Sequence, residues 1–314
     1  MAVRLFDWRD LPALFKYRDQ GLFLDKALVL TRGTMLVPGA ALLSYFAPAT
    51  GIFTYLYSND GNPEPPLIGQ VMHSSGSSFA RLTFLAPRDA LAAGGLSKLL
   101  EHMIVQVGER GGMHLLAEVD EQAPVFEAFR QNSFAIYARQ RIWKLSGDPA
   151  GEANQTPWRG SSDRDLIPIR SLYNNLVPGL VQQVEQPPTN PANGLVYQEG
   201  EDLLAYVEVR YGARGIWVQP FVHPEAKDIA DRLVDLFKYF PNRRSRPIFI
   251  CIRSYQSWLE TPVENLGAEA SPLQSLMVKH LAITRKVAQS IALRNLETGH
   301  PEATAPYVRS ESKK

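Results

Sequence analysis

The tripeptide Arg-Asp-Leu occurs once in each half of the chain, in "FDWRDLPALFKY" and again in "SSDRDLIPIRSLY". In both places an aspartate, Asp10 or Asp165, precedes apolar residues at helical spacing, which predicts a helix start. The series that follows repeats as well. A stretch containing a proline (Pro38, Pro178) leads into three strand-like segments: "GIFTYLYS", "LIGQVMHS" and "ARLTFLAP", then "GLVYQEGE", "LLAYVEVRY" and "GIWVQPFV". Short polar or glycine-containing turns join each triplet, so each predicts an antiparallel meander. A helix comes next. In "GGLSKLLEHMIVQVGERGG" Leu96, Leu99, Leu100, Met103, Ile104 and Val107 form a stripe of helical period, and Ile229, Leu233, Leu236, Phe237 and Phe240 do so in "EAKDIADRLVDLFKYF". Buried-looking strands "MHLLAEV" and "RPIFICIRS" follow, then helices "PVFEAFRQ", with Pro124 suited to its first turn, and "SWLETPVENLG". The series closes on strands "AIYARQRIWKL" and "QSLMVKHLAI". A chain that runs one order of elements twice is constrained to fold as two copies of one unit.

The stretch "SGDPAGEANQTPWRGSS" separates the copies and reads as a linker, and "NLETGHPEATAPYVRSESKK" reads as a loose tail. The expected organisation is a first domain over 1–146, a linker over 147–162, a second domain over 163–292 and a tail over 293–314. Its class is α+β, two domains in tandem, each a mostly antiparallel sheet flanked by helices. Hydrophobic residues make up 45% of the chain, enough for two cores and too many for global disorder. The 33 basic and 32 acidic residues leave no surplus for a phosphate backbone, which excludes nucleic acid as the main partner. Arg243, Arg244 and Arg246 beside Pro241 read as a solvated turn. The single cysteine, Cys251, excludes a disulfide framework or a cysteine-rich zinc site and reads as a small hydrophobe in its strand. His114, His223, His280 and His300 stand singly, without metal-ligand spacing or a His-Asp-Ser arrangement, so no metal is expected. The charged N-terminus lacks a signal-peptide core and no apolar run approaches a membrane span, so the expectation is a cytoplasmic protein without a membrane partner.

Helix, three-strand meander, helix, strand, helix, strand is an order that resembles the GNAT superfamily of acyl-CoA-dependent N-acyltransferases. "RLTFLAPRDALAAGGLSKLLEHMI" looks like the family's central strand, pyrophosphate loop and cofactor helix. "HLLAEVDEQAPVFEAFRQNSFAIYARQRIWKL" is similar to its next strand, closing helix and last strand, with Ser133-Phe134 where Gly-Phe is usual. The resemblance runs from Val3 to Thr284. It implies a tandem GNAT fold, acetyl-CoA as co-substrate, and a small-molecule or peptide amine as acceptor. The two fused copies would stand in for the homodimer that many single-domain relatives form.

In the family, the pantetheine arm slots between the splayed central strand and its neighbour, and the pyrophosphate rests on backbone N–H groups at the next helix's N-terminus. The family pattern there is Gln or Arg, two residues, Gly, one residue, then Gly or Ala. On Leu91 to Leu96 it matches at Gly94 and departs at Leu91 and Leu96; a one-residue shift puts Gly95 last instead. The implied cofactor residues are Ala93, Gly94, Gly95, Leu96 and Ser97, with Leu85 and Ala86 as backbone oxyanion donors. A glycine pair that simply breaks strand from helix reads equally well. The second half has "HPEAKDIADRL" at this place, without glycine, and Glu225 and Asp228 would repel a pyrophosphate. The N-terminal half is therefore the expected cofactor half.

The family's proton-donating tyrosine would fall on Phe129, which cannot donate. Tyr137 on the following strand is the substitute only if its ring turns inward; otherwise it is a structural tyrosine on an edge strand. Glu118 and His73 each interrupt an apolar strand and are the candidate general bases, although the alternation of a one-sided sheet also puts polar residues there. Two readings stay open: an acyltransferase, and a non-catalytic binding or scaffolding protein that keeps the fold.

Overall fold

Both Arg-Asp-Leu motifs build the same corner. In the computed structural model, strand β1 (Ala2–Leu5) leads through a 3-10 turn into helix α1 (Leu11–Tyr17). The Asp10 carboxylate accepts from the Asp7 amide at 2.8 Å and from both terminal nitrogens of Arg4 at 2.6 Å. Asp165 repeats this, accepting from the Ser162 amide at 2.8 Å and from Arg159 at 2.8 and 2.6 Å. In each copy the arginine stands six residues before the aspartate. The carboxylate satisfies an orphan amide of the first turn while the guanidinium ties that turn to the strand before it.

The described residues are 2–46, 50–58, 65–91, 95–147, 149, 158–189, 193–238 and 240–281. After α1 come β2 (Leu22–Phe23), α2 (Lys26–Arg32), α3 (Leu36–Phe46), the meander β3 (Ile52–Ser58), β4 (Leu67–Met72) and β5 (Phe79–Ala86), then α4 (Gly95–Glu109), β6 (His114–Asp120), α5 (Val125–Gln131) and β7 (Ala135–Leu145). The second series is β8 (Arg159–Gly160), α6 (Leu166–Leu176), α7 (Gly179–Gln182), β9 (Gly194–Glu199), β10 (Asp202–Tyr211), β11 (Ile216–Val222), α8 (Ile229–Lys238), β12 (Ile248–Arg253), α9 (Glu260–Asn265), β13 (Glu269–Ala270) and β14 (Gln274–His280). Every element expected from periodicity is present. Strands β1, β2, β8 and β13 and helices α2, α3 and α7 are additions, and β8 lies inside the stretch read as a linker. The tail 293–314 lies outside the described residues.

The strands form one sheet in the order β1-β3-β4-β5-β6-β14-β7-β12-β11-β10-β9-β8. The two copies exchange their last strands. β14, from the second series, lies antiparallel beside β6 of the first, and β7 lies antiparallel beside β12 of the second. β14 also pairs with β7, so hydrogen bonding runs unbroken across the chain's midpoint. The expectation of an edge strand at β7 is corrected here: it is bonded on both sides.

The apolar stripe of α4 buries Leu96, Leu99, Leu100, Met103 and Val107 against Leu82, Leu85, Leu115 and Val119 of the sheet. Removing side chains of this size from water stabilises by about 1.5–3 kcal/mol each. Helix α8 does the same with Leu233, Leu236 and Phe237 over Val207, Val218 and Ile250. Helix α2, which belongs to the first series, packs Ala27 with Trp217 and Phe249 of the second. The Arg214 amide donates to the Thr31 carbonyl at 2.9 Å. This crossing places α2 over the seam between the copies.

Candidate functional site

Strands β5 and β6 run parallel and pair over Phe79↔His114, Ala80↔Leu115 and Arg81↔Leu116, and no further. The rest of each strand flanks a gap. Strands β11 and β12 repeat the arrangement, pairing only over Ile216↔Ile248, Trp217↔Phe249 and Val218↔Ile250. Both gaps are bridged by the chain itself. In the first, β2 lies on β5 in the register Leu22↔Leu85 and Phe23↔Phe84. The Leu24 amide donates to Thr83 O and the Glu118 amide donates to Leu24 O, both at 3.0 Å, so this segment joins the two lips. Gly21 lets it lie flat: a Cβ there would come within 2.0 Å of the Phe84 ring. In the second gap the buried Gln256 carboxamide does the same work. Its Nε2 donates to Pro220 O at 2.9 Å and its Oε1 accepts from the Val222 amide at 2.8 Å.

Each side of the first gap opens on a cavity. One, of about 550 Å³, is lined by Leu22, Arg88, Leu91, Pro124, Val125 and Ala128, beside the approach to α4 and the start of α5. The other, of about 390 Å³, lies at the seam between the copies. Ala27 of α2, Phe79, Arg81 and Glu118 bound it from the first copy, and Tyr173, Glu185, Tyr206, Glu208, Arg210, Trp217, Gln219, Phe221 and Arg253 from the second.

Buried charge sets the chemistry of this seam cavity. One oxygen of Glu118 accepts from the Lys26 amide at 2.8 Å; the other has no hydrogen bond among the described residues. Burial first, then the nearby Asp25 charge, push the Glu118 carboxyl up to about 7, against the pull of the Lys26 amide, Arg81 and Arg253. Such a group takes or gives a proton near neutrality. Burial opposes ionisation of Glu185 too, but the Arg253 charge, the Tyr137 hydroxyl and Arg81 outweigh it and hold its carboxyl below the usual range. Arg253 Nη2 donates to both Glu185 oxygens, at 2.9 and 3.1 Å, while its Nε and Nη1 are buried without a partner among the described residues.

The expected site residues divide. Glu118 lines the seam cavity. Tyr137 turns inward, but its hydroxyl donates to Glu185 Oε1 at 2.7 Å. Burial and then the Glu185 charge put that phenol well above its ordinary range, so it serves Glu185 and has no proton to spare. His73 is at the closed end of the strand pair, bonded through Nε2 to Ser77 O at 2.9 Å and remote from Glu118's gap. Leu85 lies under Leu22, and Ala86 is buried and paired with Ile68 of β4. Gly95 opens α4, but a Cβ there would sit 2.5 Å from the Tyr57 ring, so strand–helix packing demands the glycine. Leu96 is buried in the core and Ser97 is exposed. Ala93 and Gly94 lie outside the described residues. Sequence reasoning missed Arg81, Glu185, Arg253, Gln256 and the Leu22–Leu24 bridge. Only Arg253 left a trace, as a charge closing the otherwise apolar run "IFICIR".

An acyl-CoA arm, which the fold family implies, fits these residues only in part. The larger cavity brings one cation, Arg88, but also Asp89 and Asp120, whose charges oppose the phosphates of such an arm. The inner end would need the β5 edge that β2 occupies, and the residues do not accept it while β2 is there. Among the described residues no cluster of His, Cys, Asp or Glu could hold a metal ion, and no helix is long and apolar enough to cross a membrane.

No protein-family model matches the sequence, and neither does any curated protein. Solved structures do match in shape. A GCN5-related N-acetyltransferase from Sphaerobacter thermophilus superposes with a TM-score of 0.57 at 11% identity, over 89% of this chain and 95% of that one. A tandem GNAT protein from the clavulanic acid biosynthesis pathway, solved without AcCoA, gives 0.50 at 15% identity, over 89% and 98%. At these identities the likeness establishes the fold: this chain has the tandem GNAT architecture, a large and mostly antiparallel sheet flanked by helices.

Proposed function

We propose that the chain is an acyl-CoA-dependent N-acyltransferase whose N-terminal half (1–146) carries the chemistry, while the C-terminal half (163–292) walls the acceptor cavity. The supporting observation is Glu118: it stands on the lip of the β5–β6 gap, faces the seam cavity, and has a carboxyl poised near neutrality. Acyl-CoA supplies the acyl group as a thioester; the acceptor nitrogen bonds to its carbonyl carbon, the C–S bond breaks, and the coenzyme leaves as a thiolate. Glu118 takes the proton lost by the amine. Arg253 and Arg81 orient the acceptor, and Tyr137 holds Glu185, which holds Arg253. The segment Leu22–Leu24 must leave the β5 edge before the acyl group reaches the seam cavity. Calorimetry with acetyl-CoA, joined to an assay of free-thiol release with an amine panel, tests this. Thiol release that Glu118→Gln abolishes is the expected result; absence of acetyl-CoA binding at millimolar concentration refutes it.

A second reading, a non-catalytic module that binds a small ligand at the seam, has its own observation. Both strand gaps are closed from within, one by backbone and one by Gln256. Ligand binding without thiol release is its signature.

A further inference from the structure

The seam cavity carries more than a proton acceptor. Arg253 is 6% exposed, yet two of its guanidinium nitrogens, Nε and Nη1, have no hydrogen-bond partner among the described residues. Leaving buried donors of a charged group unmet costs more than a typical hydrogen bond contributes, so such groups mark where a ligand belongs. Arg81 lines the same cavity from the first copy; its guanidinium lies over the face of Phe79 at 5.4 Å and makes no hydrogen bond among the described residues. The Tyr206 hydroxyl is also buried and unpaired among the described residues. Across from these donors, the second oxygen of Glu118 has no hydrogen bond among the described residues and lines the cavity.

Charge balance narrows the ligand. The cations Arg81, Arg210 and Arg253 are matched by Asp25, Glu185 and Glu208, which lie in or against the cavity. Arg210 is held by Glu208 at 2.9 Å and Arg253 by Glu185 at 2.9 Å. Glu118 remains, and it needs a cation whenever it is ionised. A phosphate dianion would enter a region with no uncompensated cation, and a bare amine would leave the Arg253 donors unmet. A neutral zwitterion answers both demands, with Phe79, Tyr173, Trp217 and Phe221 offering aromatic walls to its remainder.

We propose that the cavity between the two copies binds a small amino-carboxylate of the amino-acid class, its carboxylate on the Arg253 guanidinium with Arg81 alongside, and its ammonium on Glu118. That this ligand serves as the acyl acceptor rests on the function proposed above; its binding does not. The test is calorimetry on the full chain, without any acyl-CoA, against each of the proteinogenic L-amino acids at millimolar concentration. The tightest is then compared with its decarboxylated amine, its deaminated acid and inorganic phosphate. At least one amino acid binds, and each truncated counterpart binds at least ~10-fold more weakly, as expected for loss of a charge-assisted contact. Arg81→Gln, which removes no other hydrogen bond or ion pair among the described residues, weakens binding to a similar degree while the far-UV spectrum stays that of the folded chain; Glu118→Gln weakens the amino acid but not the deaminated acid. Absence of binding by every amino acid overturns the proposal, and so does equal affinity for a truncated counterpart or for phosphate. Retained acetyl-CoA binding and thiol release alongside such a failure would sink this ligand class and leave the acyltransferase reading standing.

Discussion

Replacing Glu118 by glutamine changes one proton and little else, because a glutamine oxygen can still accept the 2.8 Å bond from the Lys26 amide. The folded carboxyl is raised from its ordinary 4.5 to about 7, with burial the first cause and Asp25 the second. A raised carboxyl means that the folded state binds the proton more tightly than the unfolded chain does. Stability from this site is therefore complete below about pH 4.5 and is lost as pH climbs through about 7. At ~1.4 kcal/mol per pH unit the interval amounts to about 3 kcal/mol. Urea unfolding of both proteins from about pH 4.5 to about pH 8 reads this directly. The variant's stability advantage is near zero at the acid end and grows by as much as about 3 kcal/mol toward the basic end. A difference that stays flat across that range refutes the buried, uncompensated carboxyl on which the acyltransferase reading and the proposed ligand rely.

Gly21→Ala drives a Cβ to within 2.0 Å of the buried Phe84 ring. It lowers stability by about 1–3 kcal/mol in urea unfolding, and by loosening β2 it tightens acetyl-CoA binding in calorimetry. Gly95→Ala, with its Cβ 2.5 Å from Tyr57, costs a similar ~1–3 kcal/mol. Adding Tyr57→Leu in the same background recovers part of that loss if packing is the reason for the glycine. Burial pushes the Cys251 thiol up to about 12, and its Sγ lies 3.2 Å from Gln140 Oε1. A disulfide reagent at mildly alkaline pH leaves it unlabelled in the folded protein and titrates it once the chain unfolds.

Some of the site is written locally. Glu118 stands out as a charge inside an apolar strand, while the first gap is what the family resemblance implies. Gly95 shows how one residue can answer to two reasons: a helix N-terminus open to phosphate and a helix pressed onto a tyrosine ring both require a missing Cβ. Arg253 and Glu185 are 68 residues apart, in segments with no shared pattern, so their pairing left no local mark. The bridge Leu22–Leu24 is too short for any periodicity to register.

Local patterning decided what each segment became. Helical stripes made α4 and α8, alternating and apolar runs made the meanders, and the two Arg-Asp-Leu corners announced a duplication, because each depends only on neighbours along the chain. Pairing between strands depends on who else is present. β7 and β14 could each have completed its own copy, since a strand's apolar faces specify burial without naming a partner. Only the assembled sheet, with its exchanged last strands and α2 laid across the seam, decided that both copies would enclose one charged cavity.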